Sequence, residues 1–198
     1  GWKVHACARS PESLKDVPGD IHRHKLEVTD YGAVKALASE LKGEAIDVLI
    51  CNAGVSGREA ADLGSIDPKV WRDTFEVNAL APLRLTALLA PQLVRGGKLA
   101  LITSRMGSMA DNTSGGYYGY RMSKAAMNAA GRSLAHDLAP RGVAVVMLHP
   151  GFVQTPMTGG RGDVDPATAA RGLLARIDEL TPASSGRFLH ANGSPLPW

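Results

Sequence analysis

Short apolar runs alternate with longer amphipathic stretches along the 198 residues. The runs Trp2–Ala8, Lys25–Val28, Asp47–Cys51, Lys98–Thr103, Val143–Leu148 and Arg187–His190 predict strands. Between them, the spacing predicts helices near Tyr31–Leu41, Asp67–Val94, Tyr118–Leu138 and Pro166–Glu179. Gly43, the pair Gly96-Gly97 and Pro140 punctuate the junctions. Strands that are apolar on both faces and separated by helices belong to a parallel sheet covered on both sides. The expected fold class is therefore α/β. With neither an internal repeat nor a low-complexity stretch, the chain reads as one domain over residues 1–198.

A hydrophobic content of 44% supports a sizeable core. The formal charge is only +3 and the basic residues are dispersed, which argues against nucleic acid as a main partner. The longest apolar runs, such as Val143–Leu148, are too short to span a bilayer, so no membrane partner is expected. Cys7 and Cys51 cannot form a disulfide framework and read as reduced thiols, which fits a cytoplasmic location.

The predicted helix from Asp67 contains Pro82. Proline has no N–H, so the carbonyl of Asn78, four residues earlier, loses its helical partner. The result is either a plain kink or a carbonyl kept open for water, with the Asn78 amide beside it.

Three successive strand ends carry polar or small residues. They are Cys51-Asn52-Ala53-Gly54, Thr103-Ser104 and Pro150-Gly151-Phe152-Val153-Gln154-Thr155. Open α/β sheets bind ligands at the carboxyl ends of their strands. Tyr120 and Lys124 stand at i and i+4 on the Tyr118–Leu138 helix, on one face and within reach of the same small molecule. A phenol near pKa 10 is a poor acid at neutral pH, and an adjacent ammonium makes its anion easier to form.

In this order the motifs resemble a short-chain dehydrogenase/reductase. The stretches Ser104-Arg105-Met106-Gly107-Ser108, Asn112 to Tyr118 and Leu196-Pro197-Trp198 are similar to its carbonyl-reductase-like branch, which includes the C-signalling factor group. The resemblance implies a Rossmann-like, doubly wound, three-layer parallel sheet. It implies an NAD(P)-dependent oxidoreductase that interconverts a carbonyl and an alcohol. Ser104 would bond the substrate carbonyl oxygen and Tyr120 would supply its proton. Lys124 would lower the Tyr120 pKa and hold the nicotinamide ribose, and Asn78 would hold a relay water. A hydrolase built on Ser104 is disfavoured because no Gly-x-Ser-x-Gly elbow surrounds it.

Two choices within the motif are settled by chemistry. Tyr117 has the separation from Ser104 usual in the family, but Arg121 stands at its i+4 position and arginine cannot relay protons as lysine can. Tyr120 is therefore the expected acid, reached through a loop three residues longer. Ser104 is preferred over Ser108 because Ser108 lies beyond the strand end.

For the cofactor, the strand ending Ala8-Arg9-Ser10 offers a guanidinium and no carboxylate, which favours the 2′-phosphate of NADP(H) over NAD(H). The resemblance adds the Val28 backbone, Asn52, Ala53, Gly54, Tyr120, Lys124, Pro150, Gly151, Val153 and Thr155 as cofactor contacts. Its substrates are small carbonyl compounds or alcohols, and it implies a homodimer or homotetramer.

Other residues read as structural. His22 and His24 form a solvated pair without a third ligand, so no metal is expected. His149 reads as a strand-end residue, and Ala125, Ala126, Ala129 and Ala130 as a close-packing face. Met106 and Met109 fit either the core or the substrate pocket, and Gly159–Gly162 reads as a mobile lid.

The family's first strand, its Thr-Gly-x-x-x-Gly-x-Gly loop and its first helix have no counterpart in the sequence, which opens on a match to the second strand. The expectation is a truncated record, with weak or absent NADPH binding by the chain as given. This keeps an alternative in play, a non-catalytic or signalling member that acts as a binding protein.

Overall fold

The computed structural model describes residues 1–57 and 67–198. The chain falls into two compact units, Gly1–Glu44 and Ala45–Trp198.

In the first unit, strands β1 (Lys3–Ala8) and β2 (Asp20–Lys25) pair in parallel, with Val4 opposite Ile21 and His5 opposite His22. Helix α1 (Tyr31–Glu40) starts where the Asp30 carboxylate accepts the Ala33 N–H at 3.0 Å. Val34 and Leu37 of this helix are buried, as are Leu26 before it and Leu41 at its end.

The second strand lies earlier than the expected Lys25–Val28. It ends at Lys25, and Glu27 then makes a turn by accepting the Thr29 N–H on its side chain and the Asp30 N–H on its carbonyl. The pairing of β2 is carried by backbone, through a polar stretch that hydropathy does not flag. His5 stacks on both His22 and His24, with ring centroids 5.1 and 5.2 Å apart, and its Nδ1 lies 3.0 Å from His24 Nε2. The expected solvated pair thus has a third imidazole against it. Among the described residues, no three His, Cys, Asp or Glu side chains are arranged to hold a metal ion.

The second unit is built on an all-parallel sheet of β3 (Ile46–Cys51), β4 (Leu93–Ile102), β5 (Ala144–His149) and β6 (Arg187–His190), in that spatial order. The central strands are buried on both faces, as their unbroken apolar runs require. Ala100, Ile102, Val146 and Leu148 point to one side, where they meet Ile177 and Leu173 of α5 (Pro166–Asp178). On the opposite side Leu101 and Met147 meet α4 (Tyr118–Leu138) at Gly131, where a Cβ would collide with the Met147 side chain. Helix, sheet and helix make the three layers expected of an α/β fold.

Strand β4 starts earlier than expected, at Leu93. Gly96, with φ of 85°, lies inside a bulged strand rather than before it, and the pairing with β3 shifts register between Ile46 and Val48.

The expected helix Asp67–Val94 is divided. Helix α2 (Pro68–Phe75) is capped by Asp67, a single π-helical turn spans Glu76–Leu80, and α3 (Ala81–Leu89) follows. Pro82 is accommodated by widening the helix so that the Ala81 N–H reaches the Glu76 carbonyl five residues back. Among the described residues, no helix is long and apolar enough to cross a membrane.

Leu148, fully buried between the β4–β6 core and α5, is a sensitive probe of this packing. Leu148→Ala should cost about 2–5 kcal/mol in urea unfolding. A loss below about 1 kcal/mol would mean that α5 does not close on the sheet as described.

Candidate active site

The side chains gathered at the carboxyl ends of β3, β4 and β5 all belong to the second unit. Ser104 follows β4 in extended backbone and caps a short helical turn, its Oγ accepting the Met106 N–H at 3.1 Å. It is only 7% exposed. Its hydroxyl also shares a side-chain hydrogen bond with Tyr120 on the first turn of α4. Burial pushes the Tyr120 phenol above its ordinary value, and the Ser104 bond works in the opposite direction. The expected lowering by Lys124 is therefore not what dominates this site; removal from water is.

Lys124 is 4% exposed, with Nζ 5.9 Å from the Tyr120 ring centroid. Burial lowers its pKa to about 8. Nζ donates to the Ile102 carbonyl at 3.1 Å, which takes one of its three hydrogens. Two glycines make room for it. A Cβ on Gly54 would stand 3.4 Å from Nζ and 3.3 Å from Asn78 Oδ1. A Cβ on Gly107 would stand 2.8 and 2.9 Å from the Lys124 main-chain carbon and oxygen. The loop after Ser104 and the backbone of α4 thus touch directly.

Asn78 sits in the π-helical turn, fully buried. Its Oδ1 accepts the Val55 N–H at 2.9 Å, while Nδ2 donates to the Val55 carbonyl at 2.8 Å and to Ser123 Oγ at 3.0 Å. Ser123 in turn donates to the Tyr120 carbonyl at 2.8 Å. Ser123 and Val55 were not singled out by sequence reasoning. The one available signal was that Ser123 lies three residues after Tyr120, on the same helical face.

The remaining candidates fall as follows. Asn52 and Ala53 are exposed beyond β3, and Gly54 is half-buried. Pro150 and Gly151 continue from β5, whose Leu148 carbonyl accepts the N–H of Thr103, next to Ser104. Val153 bridges to Val164, and the Thr155 N–H donates to Thr158 Oγ1 at 3.1 Å. In the segment read as a lid, Gly159–Gly162, the Gly162 carbonyl accepts from Gln154 Nε2. Arg9, exposed at the end of β1, and Val28, half-buried after β2, lie in the first unit.

The competing residues are committed elsewhere. Ser108 Oγ accepts the Asp111 N–H at 3.0 Å. Tyr117 is 42% exposed in left-handed backbone, φ 52°, immediately before α4. Arg121 holds the preceding loop by donating to the Gly116 carbonyl and to Ser114 Oγ. Burial and His190 lower the His149 pKa to about 4, and its ring meets His190 edge-on at 5.0 Å. Met109 is 76% exposed, which removes it from the core. The alanine face of α4 at residues 125, 126, 129 and 130 is partly open, and the buried face runs instead through Ser123, Met127, Asn128 and Gly131.

The family model for short chain dehydrogenase matches residues 1–165, across both units. The chain belongs to the short chain dehydrogenase family. It is 48% identical over 167 residues to the C-signal protein of Myxococcus xanthus, covering 83% of this chain and all of that one. It is 44% identical over 179 residues to the 1-hydroxy-2-glutathionyl-2-methyl-3-butene dehydrogenase of Rhodococcus sp. (strain AD45), covering 87% of this chain and 78% of that one. The crystal structure of NADPH-bound carbonyl reductase from chicken fatty liver superposes with a TM-score of 0.87 at 29% identity, over 98% of this chain and 87% of that one. This family places the chain among Rossmann-fold oxidoreductases that use NAD(P).

Two measurements probe the site without a cofactor. Gly107→Ala should force the Ser104 loop off α4 and cost about 1–3 kcal/mol, read by thermal unfolding; an unchanged midpoint would mean that the loop can yield freely. Lys124 carries a native pKa below its unfolded value, so its burial is most costly below pH 8 and the cost fades as pH rises from 8 to 10.5. Lys124→Met should therefore be the more stable protein at pH 7, by up to about 3 kcal/mol, with the gap closing by pH 10.5. A gap independent of pH would show that the ammonium is not desolvated.

Proposed function

We propose that the chain acts as an NADP(H)-dependent carbonyl reductase or alcohol dehydrogenase, with Ser104, Tyr120, Lys124 and Asn78 as the working residues on the carbonyl side of its site. The observation that carries this reading is the Ser104–Tyr120 hydrogen bond next to a buried Lys124, in a member of an oxidoreductase family. The residues suit a nicotinamide cofactor: two Lys124 hydrogens remain for hydroxyl acceptors, and Gly54 leaves the space a side chain would fill. A reduced nicotinamide, when bound, supplies hydride to the carbonyl carbon.

The chain's own residues do the rest. Tyr120, kept protonated by burial, passes its proton to the carbonyl oxygen, and Ser104 donates a hydrogen bond to that oxygen as charge builds on it. Lys124 binds ribose hydroxyls and stabilises the phenolate left behind. The Asn78 amide is occupied by Val55 and Ser123, so Asn78 acts through its main-chain carbonyl, which Pro82 deprives of an α-helical partner. Asn52, Ala53, Gly54, Pro150, Gly151, Val153 and Thr155 belong to the cofactor side in this reading, as does the Val28 backbone. Arg9 favours the 2′-phosphate and hence NADP(H). We further propose a cytoplasmic protein, a single domain and a homodimer or homotetramer.

A second reading, a non-catalytic signalling member, is favoured by the 48% identity to a protein named C-signal. Kinetics of the product of the complete open reading frame separates the two. With NADPH and 4-nitrobenzaldehyde as probe, Tyr120→Phe should lower kcat/KM by about 10²–10⁴-fold while leaving NADPH binding, followed by nucleotide fluorescence, largely intact. Near-normal turnover by Tyr120→Phe would mean that another group is the acid. Failure of the unsubstituted protein to bind NADPH at all would favour the signalling reading.

A further inference from the structure

Ser104 is presented by the segment Ser104–Asp111, and that segment is fastened at both ends. At its start, Ser104 Oγ accepts the Met106 N–H, and the Gly107 carbonyl accepts from Asn128 Nδ2 of α4. At its far end, Arg105 pairs with Asp111, and Ser108 Oγ accepts the Asp111 N–H. One bond comes from a distant part of the sequence. The Ala110 N–H donates to the main-chain oxygen of Trp198 at 2.8 Å.

Trp198 is held by the chain that leads to it. After β6 the chain turns at Asn192–Gly193 and runs back antiparallel along the strand it has just left. His190 N–H donates to the Ser194 carbonyl, Leu189 bridges to Pro195, and the Leu196 N–H donates to the Phe188 carbonyl. Leu196 is buried. The Trp198 ring lies 5.6 Å from the Phe188 ring, and the Arg132 guanidinium lies 5.9 Å from its centroid. Arg132 belongs to α4, the helix that carries Tyr120 and Lys124, and also donates to the Gly186 carbonyl. A single side chain therefore spans β6 and α4 while its main chain holds the loop that orients Ser104.

We propose that Trp198 is a positioning residue for the substrate side of the site. Its ring, fixed against Phe188 and Arg132, places the main-chain oxygen that holds Ala110, and through Ala110 the segment that aims Ser104. This rests on the reading of Ser104 as the donor to the substrate carbonyl. The nicotinamide side, formed by Lys124 and the segments after β3 and β5, does not depend on it. The clamp should thus act on reduction of the carbonyl and leave cofactor affinity alone.

Two measurements on Trp198→Ala, in the product of the complete open reading frame, test the proposal. Hydrogen exchange should show the Ala110 amide losing at least about tenfold in protection, the scale of one hydrogen bond, while the Val145–Leu148 amides keep theirs. With 4-nitrobenzaldehyde, kcat/KM should fall by a similar factor, about tenfold, with NADPH affinity within about twofold of the original. Trp198→Phe, which keeps a ring for Phe188 and Arg132, should restore most of both effects.

Unchanged Ala110 exchange in Trp198→Ala would overturn the clamp. So would a parallel loss of Val145–Leu148 protection and NADPH affinity, which would make Trp198 a residue of general stability. Because exchange is read without turnover, a protein that reduces no carbonyl would defeat the reductase reading alone and still decide whether Trp198 holds Ala110.

Discussion

The arrangement depends on one unfavourable act, the burial of the Lys124 ammonium with a main-chain carbonyl, rather than a carboxylate, as its acceptor. Removing an ammonium from water without a full counter-charge is costly, and the fall of its pKa to about 8 records that cost. The surrounding structure is organised around tolerating it. Gly107 comes closer to the Lys124 main chain than a residue with a Cβ would allow, and a Cβ on Gly54 would be in contact with the ammonium. Asn78 and Ser123 tie the same helix to the end of β3. Such a site is poorly optimised for stability, and energy stored that way is commonly found where a ligand is to be held.

The central sheet and the helix carrying Tyr120 were legible because their signals are strong and local. Val143–Leu148 is an unbroken apolar run and lies buried on both faces, as such a run requires. Tyr118–Leu138 forms at the expected residues because its period is long and no proline interrupts it. The polar strand Asp20–Lys25 was not legible, because its pairing with β1 uses backbone groups that every sequence possesses. For the same reason the start of β4 at Leu93 lay hidden behind Gly96-Gly97, which in the sequence signals a break and in the structure makes a bulge. The choice of Tyr120 over Tyr117 rested on Arg121, and the structure supplies a separate occupation for that arginine, bracing Ser114 and Gly116.

Pro82 is instructive because the sequence signal was sound and its outcome different from a kink. A missing N–H at residue 82 frees a carbonyl four residues back, but a helix can respond by widening instead of bending. The π-helical turn at Glu76–Leu80 does this, and it rotates Asn78 so that its amide faces Val55 and Ser123. With both Nδ2 hydrogens donated and Oδ1 accepting, that side chain has little capacity left for a ligand. Its part in the site is to lock the end of β3 to α4, which sequence alone could not distinguish from direct participation.

The same geometry bears on how Tyr120 can act as an acid at all. Burial raises its pKa, which keeps the proton on the oxygen but makes the phenolate expensive once the proton has gone. Ser104 offsets part of that cost with its hydrogen bond, and a charged Lys124 close to the ring would offset more. With its pKa near 8, Lys124 is charged at neutral pH and becomes neutral just above it. In the proposed reading, then, the ammonium already present at neutral pH is what eases formation of the Tyr120 phenolate, and the Ser104 bond adds to it.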